Sequence, residues 1–350
     1  MHLRTTAIRL IPAILPLALA ACGVQENLPA EAVPADAAIV VRVDPGSMQS
    51  AMIRDSMDAV ADIARRSSNP QIVQLSGLIQ LQALSMEEEA GDNSVSDAAM
   101  RSLVDAGATG IWVVIPESAL SGAGELAADA AGADSDALFE FGTALVQAKT
   151  RDAGPAIEKA LRSMDDDLAE CTATSVAPGW FAIRTSADQP LPKGGDAAAA
   201  KAFESAIARQ SGASMAMAMR MTDSMRAALD SDDEMMLQAQ MMVGRVVSAL
   251  DRLQMLSASV TFGKAPAIRA RMAFGSDGDA AEFNAAWDET LQTILGFIQM
   301  QAMMAAGDEG DAPAPKPTNW GPLFDGLKMR QEGAALSLTL DQERMRAMMK

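Results

Sequence analysis

LSASVTFGKAPAIRARMAF, residues 256–274, is the stretch that decides the fold. Leu256, Ala258, Val260 and Phe262 alternate with Ser257, Ser259 and Thr261. After Gly263-Lys264-Ala265-Pro266, the residues Ile268, Ala270, Met272 and Phe274 alternate with Arg269 and Arg271. A period of two sends the two sets to opposite faces of a strand. Two such runs around a Gly- and Pro-bearing turn predict an antiparallel hairpin with one buried face.

Downstream, Ser276 or Asp277 starts a helix that carries Phe283, Trp287, Leu291, Ile294 and Ile298 at helical spacing. A Pro/Asp-rich loop follows at 307–317. Residues 327–330 and 334–340 predict a closing hairpin around Glu332-Gly333. Upstream, Met215, Met217, Met219 and Met221 alternate with small or charged residues, which predicts a strand. Thr222 caps the helix after it, and 235–253 reads as a long helix. A further helix spans 197–209. Pro190, Pro192, Gly194 and Gly195 mark the internal boundary. Before that boundary, strands are predicted at 39–43, 111–115, 144–150 and 180–185. Helices are predicted at 48–66, 72–86, 97–106, 119–131 and 152–164, the last capped by Asp152.

The halves share an order. Strand 39–43 corresponds to 215–221, strand 111–115 to the strand around Val260, and helix 152–164 to the helix around Phe283. The expected architecture is α+β. It has two related units of antiparallel sheet with packed helices, 37–195 and 196–350, after a signal peptide and a short tether.

Residues 1–9 carry Arg4 and Arg9 and no acid, and 10–21 are apolar and end in small residues. That is the layout of a secretory signal peptide. Twelve apolar residues are too few for a bilayer core, which takes about 20. Leu19-Ala20-Ala21-Cys22 resembles the lipobox of the bacterial lipoproteins. The resemblance implies cleavage after Ala21, a diacylglyceryl group on the Cys22 thiol and a fatty acyl group such as palmitate on the new amine. It also implies a place in the cell envelope, lipid-anchored and facing the periplasm. Gly23 favours the outer membrane under that family's sorting rule. Residues 22–36, with Pro29 and Pro34, read as the tether. The body resembles uncharacterised envelope lipoproteins that open on a Pro-Ala-Asp strand, here Pro34-Ala35-Asp36. That likeness carries no functional residues.

Composition excludes several classes of function. Loss of Arg4 and Arg9 leaves 26 basic and 46 acidic side chains, a net charge of −20. Nucleic acid is excluded as a partner, because its phosphates require Lys and Arg. Docking on anionic headgroups by charge is opposed as well. The only histidine, His2, leaves with the signal peptide, so Ser-His-Asp and Cys-His catalysis and His-ligated metal sites are excluded. With Cys22 lipidated, Cys171 has no partner for an internal disulfide and reads as a buried small hydrophobe.

Each candidate chemical feature has a plainer alternative. Met215, Met217, Met219 and Met221 place soft thioethers on one strand face, as Cu(I) prefers. They equally suit a flexible core stripe or an adaptable apolar cavity. Gly122-Ala123-Gly124 lies too far beyond its strand for a dinucleotide loop. Acidic runs at 87–89, 165–167, 232–234 and 308–311 have no calcium-loop spacing and read as solvated loops and helix starts. Arg269 and Arg271 share a face that would hold an anion. No cofactor and no metal is expected. The sequence therefore points to a non-enzymatic envelope lipoprotein with a binding or structural role, whose partner is an envelope protein or an apolar ligand. A carrier of lipid in a Met-rich cavity is the first alternative and weak Cu(I) binding the second.

Overall fold

In a computed structural model, the described residues are 27–67, 90–120, 142–164, 168–185, 195–210, 212–229, 244–308 and 320–349, with Val73, Ser76, Gly77 and Leu191. The expected helices at 72–86 and 119–131, most of the linker at 190–195 and the acidic runs at 87–89, 165–167 and 232–234 lie largely outside them. So do Ala21 and Cys22.

Among the described residues, ten strands divide between two compact units. One unit comprises the described residues up to Gln49 and those of Asp92–Arg209. The other comprises those of Ser50–Gly91 and Gln210–Lys350. Both are α+β, and the strands within each unit pair antiparallel. Helix 197–208 thus belongs with the first unit and helix 50–65 with the second, whereas the sequence boundary at 195 divides them the other way.

The first unit holds β1 (Ala37–Val43), α2 (Ala90–Asp105), β2 (Ala108–Pro116), β3 (Thr143–Ala148), α3 (Gly154–Arg162), β4 (Thr172–Ala177), β5 (Trp180–Arg184) and α4 (Ala197–Ala208). The label α1 is kept for Ser50–Arg65, which belongs to the second unit. The sheet order is β1-β2-β3-β5-β4, and every neighbouring pair is antiparallel. One face packs Ala144, Val146, Phe181 and Ile183 against Leu103 of α2 and Ile157, Ala160 and Leu161 of α3, with Cys171 among them. The ladder partners Trp112, Leu145 and Ala182 share the other face and are buried too. Trp112 and Trp180 meet there with ring centroids 5.6 Å apart.

β4 is absent from the sequence reading, and its composition explains why. TATSVA has no apolar alternation because β4 is an edge strand whose side chains are only partly covered. Its exposed backbone is guarded instead. The Ala173 N–H donates to Glu158 (3.2 Å), and Arg162 donates to the Cys171 carbonyl (3.0 Å). Glu158 and Arg162 pair at 2.6 Å. Blocking of this kind keeps an edge from recruiting another strand. Asp152 does not cap α3, since Ala153 occupies that position and Pro155 opens the helix.

The segment expected as tether, 22–36, is folded over its described part. Leu28, Ala32 and Val33 are buried, Ala30–Ala32 form a 3-10 turn, and the Asp196 N–H donates to the Val33 carbonyl. Leu28 is thus already part of the folded body.

The second unit holds α1, β6 (Met215–Arg220), α5 (Asp223–Leu229), β7 (Leu253–Thr261), β8 (Ala267–Phe274), α6 (Asp277–Asp308), α7 (Gly321–Gly326), β9 (Arg330–Glu332), β10 (Ala335–Leu340) and α8 (Gln342–Met348). Its order is β6-β7-β8-β10-β9, again antiparallel throughout. Strand for strand this repeats the first unit, so the duplication read from pattern is a duplication of topology. The hairpin turns correspond as well. Gly179 (φ 81°) joins β4 to β5 and Gly333 (φ 61°) joins β9 to β10. Both need the left-handed region that glycine enters freely. Thr222 Oγ1 accepts from the Met225 N–H, so the expected cap of α5 is present.

The hairpin over 253–274 departs from expectation in its faces. Ser257 and Ser259 are buried, while Leu256, Ala258 and Val260 are only half-buried. Gln210 explains how the hydroxyls are accommodated. It is buried, donates to Ser257 Oγ (3.2 Å) and accepts from Ser259 Oγ (2.8 Å). A buried hydroxyl is tolerated when its hydrogen bonds are made.

Candidate binding surface

The surface is built on α6. Ser276 Oγ accepts from the Asp279 N–H (3.1 Å) and donates to the Asp279 carboxylate (2.7 Å), which fixes the first turn. Asp277 and Asp279 suit the positive end of the helix dipole. Arg252 pairs with Glu282 and Arg245 with Glu289 along the flank. Ala280, Phe283, Ala286 and Leu336 form a buried core with Leu253 and Phe274, and Met221, Leu256, Met272 and Trp287 pack on it. The Phe274 and Phe283 rings lie 5.3 Å apart. Trp287 Nε1 donates to the Leu327 carbonyl at 3.0 Å.

Beyond Leu291 the packing fades although the helix continues to Asp308. Ile294, Leu295 and Ile298 are half-buried, Phe297 is 50% exposed and Met300 46%. No Asp, Glu, Lys or Arg occurs from Thr290 to Gly307. Ile294 and Ile298 continue the helical spacing of Phe283, Trp287 and Leu291 without the burial of Phe283 and Leu291. The missed signal was the absence of any charged face over this run, since a surface helix normally has one.

The sheet adds to the uncovered apolar area. Ladder partners place Met217, Ala258, Ala270 and Leu338 in one row, and Met215, Val260, Ile268 and Leu340 in the next. These residues are half-buried, except Ile268, which is 48% exposed. The core around Phe283 covers this face only at Leu256, Met272 and Leu336.

Of the four singled-out methionines, Met215, Met217 and Met219 lie on β6 and Met221 just past its end. All four are half-buried, and the alternate residues Ala216 and Ala218 are the fully buried ones. Successive methionines on a strand face stand about 6.8 Å apart. Their partners on β7 are Val260, Ala258 and Leu256, none of them a sulfur donor. This ladder does not gather the three sulfurs that Cu(I) requires. Among the described residues no group of His, Cys, Asp and Glu has metal-ligand clustering. Arg271 sits 3.6 Å from Glu332, and both Arg269 and Arg271 are half-buried on the strand.

A groove of about 620 Å³ lies in the first unit, between the 27–31 segment and α4. Leu28, Glu31, Ala200, Lys201, Glu204 and Ser205 are among its lining residues, and none of its lining residues is a methionine. Burial pushes the Glu204 carboxyl above its usual range. Cys171 is fully buried, and desolvation raises its thiol pKa against the opposing pull of Arg162. The thiol therefore stays protonated and inert.

No protein-family model matches the chain, and no curated protein matches it. Among solved structures, crystal form I of TP0453 is similar at 9% identity, over 92% of this chain and 97% of that chain, with a TM-score of 0.32. Crystal form III of TP0453 is similar at 8% identity over the same shares, with a TM-score of 0.27. Scores this low carry no argument about fold or function.

Proposed function

We propose that this protein is a membrane-anchored envelope lipoprotein with a non-catalytic binding role, held by lipid on Cys22. The observation that carries the binding role is the exposure of large apolar side chains in the second unit, Phe297 and Met300 on α6 and Ile268 on β8, on a chain with strong net negative charge. Exposed apolar area of this kind marks an interaction surface. The Cys22 anchor is supported by Leu19-Ala20-Ala21-Cys22. Two or three acyl chains hold a protein durably, at about 0.8 kcal/mol per buried methylene. Cys22→Ser should move the protein from the membrane to the soluble fraction of the envelope. Full retention in the membrane fraction after that change would refute the anchor.

A carrier role is the second reading, and the groove beside α4 favours it. Its volume falls in the range of small-molecule sites, roughly 300–1,000 Å³. Its mixed Lys201, Glu204 and Leu28 lining suits an amphiphile better than a hydrocarbon. Native mass spectrometry of the mature body would show a retained amphiphile mass if this reading holds, and a clean apo mass if it does not.

A further inference from the structure

We infer that the sheet face of the second unit turned away from α6 binds a phosphate monoester, held by Arg269, Arg271 and Arg330. β8 sends Met272 and Phe274 to the core under α6, so Arg269 and Arg271 project from the opposite face. In the ladder, Arg271 lies beside Ser337 of β10, and Ser337 lies beside Arg330 of β9. Arg269 lies beside Thr339. Arg269 and Arg271 stand about 6.8 Å apart along the strand, and Arg330 stands two strands, about 9.6 Å, across from Arg271. Their guanidinium groups converge. Arg271 Nη1 and Arg330 Nε approach the two oxygens of the Glu332 carboxylate at 3.6 and 3.5 Å.

Two observations distinguish this cluster from solvated surface arginines. Arg271 Nε is buried and has no hydrogen-bond partner, and a buried charged donor left unpaired is costly. Arg269 and the Thr339 hydroxyl, both half-buried, likewise have no partner among the described residues. Ser257 and Ser259 share the face, but Gln210 already engages their hydroxyls. The charge of the cluster selects the ligand. Glu332 is the one acidic residue of β7, β8, β9 and β10, and these strands carry three arginines and no lysine, so three positive charges less one negative leave +2. A phosphate monoester brings about −2 at neutral pH and three acceptor oxygens. A carboxylate would leave one positive charge unmatched. Arginine forks bind such oxygens in pairs. The strong negative charge of the rest of the chain repels a long polyanion but not a single phosphate group. A soluble ester and a lipid headgroup can both present that group.

The test titrates the Cys22→Ser protein with glycerol 3-phosphate by calorimetry and, in parallel, floats it on phosphatidylcholine vesicles with and without phosphatidic acid. Glycerol 3-phosphate is expected to bind more tightly than acetate. Arg269→Gln should weaken it at least about tenfold, with an unchanged melting temperature because Arg269 has no partner to lose. Arg269→Lys, which keeps the charge without the fork, should weaken it less. Glu332→Gln removes the competing carboxylate and should tighten binding about threefold. Arg65→Gln, on α1 of the same unit, removes the same charge elsewhere and should change nothing. Binding of the free ester without flotation assigns a soluble phosphate ester. Flotation that requires phosphatidic acid, with no binding of the free ester, assigns a lipid headgroup. The arginine variants should weaken whichever arm binds. Failure of both arms overturns the inference, as does an affinity no higher than that for acetate. Equal losses in Arg269→Gln and Arg65→Gln also overturn it, because they would reduce the effect to overall charge.

Discussion

β3 and β8 hold the same place in the strand orders of their two units, yet Leu145 on β3 is fully buried and Ile268 on β8 is half exposed. The contrast extends across the units. In the first, β3 and β5 are packed on both faces, with Ala144, Val146 and Phe181 on one and Trp112, Leu145 and Ala182 on the other, while Ile39, Val41, Val113 and Ile115 toward β1 are half-buried. In the second, β8 and β10 run through long half-buried stretches. One strand order thus supports a mostly buried third strand in the first unit and a half-buried one in the second. Topology is set by strand pairing and turn residues, whereas burial depends on which helices reach the faces. The edges follow the same division. β4 is guarded by Glu158 and Arg162 from α3, while β9 is only three residues long and carries Arg330 and Glu332. Short, charged edges resist pairing without a guard.

The contrast breaks if matched core deletions behave alike. Leu145→Ala is expected to destabilise by about 2–5 kcal/mol, because its buried site cannot refill. Leu338→Ala, in the half-buried row, should lose less than about 1.5 kcal/mol. Urea denaturation of both variants measures the difference, and equal losses would show that the second sheet is as closed as the first. Gln210→Ala sharpens the comparison at the polar face of the second sheet. It removes the partner of both Ser257 and Ser259 and should destabilise by about 1–3 kcal/mol. A neutral result would mean that water reaches that face.

Two smaller effects probe the first unit. Cys171 should resist thiol reagents in the native protein and react only on unfolding, with a rate that tracks the denaturation curve. Rapid native labelling would show the α3 face to be open. The Glu204 carboxyl, raised by desolvation, binds its proton more tightly folded than unfolded. Its contribution to stability is therefore fully present below the ordinary carboxylate pKa and is lost as pH rises through the raised value. Glu204→Gln should accordingly raise the melting temperature slightly at neutral pH, and the gain should vanish under acid conditions. A gain that persists in acid would assign the effect to something other than ionisation.

Much of this molecule was legible from alternation. The hairpin over 253–274, β6, the closing hairpin and the order shared by the two halves all follow from period-two patterns and turn glycines. Pattern failed where burial and period part company. β4 has no apolar alternation because it is an edge. Ser257 and Ser259 look solvent-facing until Gln210, distant in sequence, supplies their hydrogen bonds. The methionines of β6 look like core, but Ala216 and Ala218 fill the buried positions. In the candidate surface, Ile294 and Ile298 have the spacing of core residues, and only the uncharged run from Thr290 to Gly307 distinguishes this part of α6 from its packed N-terminal half. Leu28 and Val33 were read as tether because two prolines flank them, and their burial depends on docking in the first unit.

The most direct test of the account is hydrogen exchange on the Cys22→Ser protein, alone in solution and then bound to isolated envelope membranes. If the second unit carries the interaction surface, binding should slow exchange in residues 290–307 and leave β2, β3 and β5 unchanged. Slowing confined to the 27–31 segment and α4, with 290–307 unaffected, would contradict it and move the binding site to the first unit.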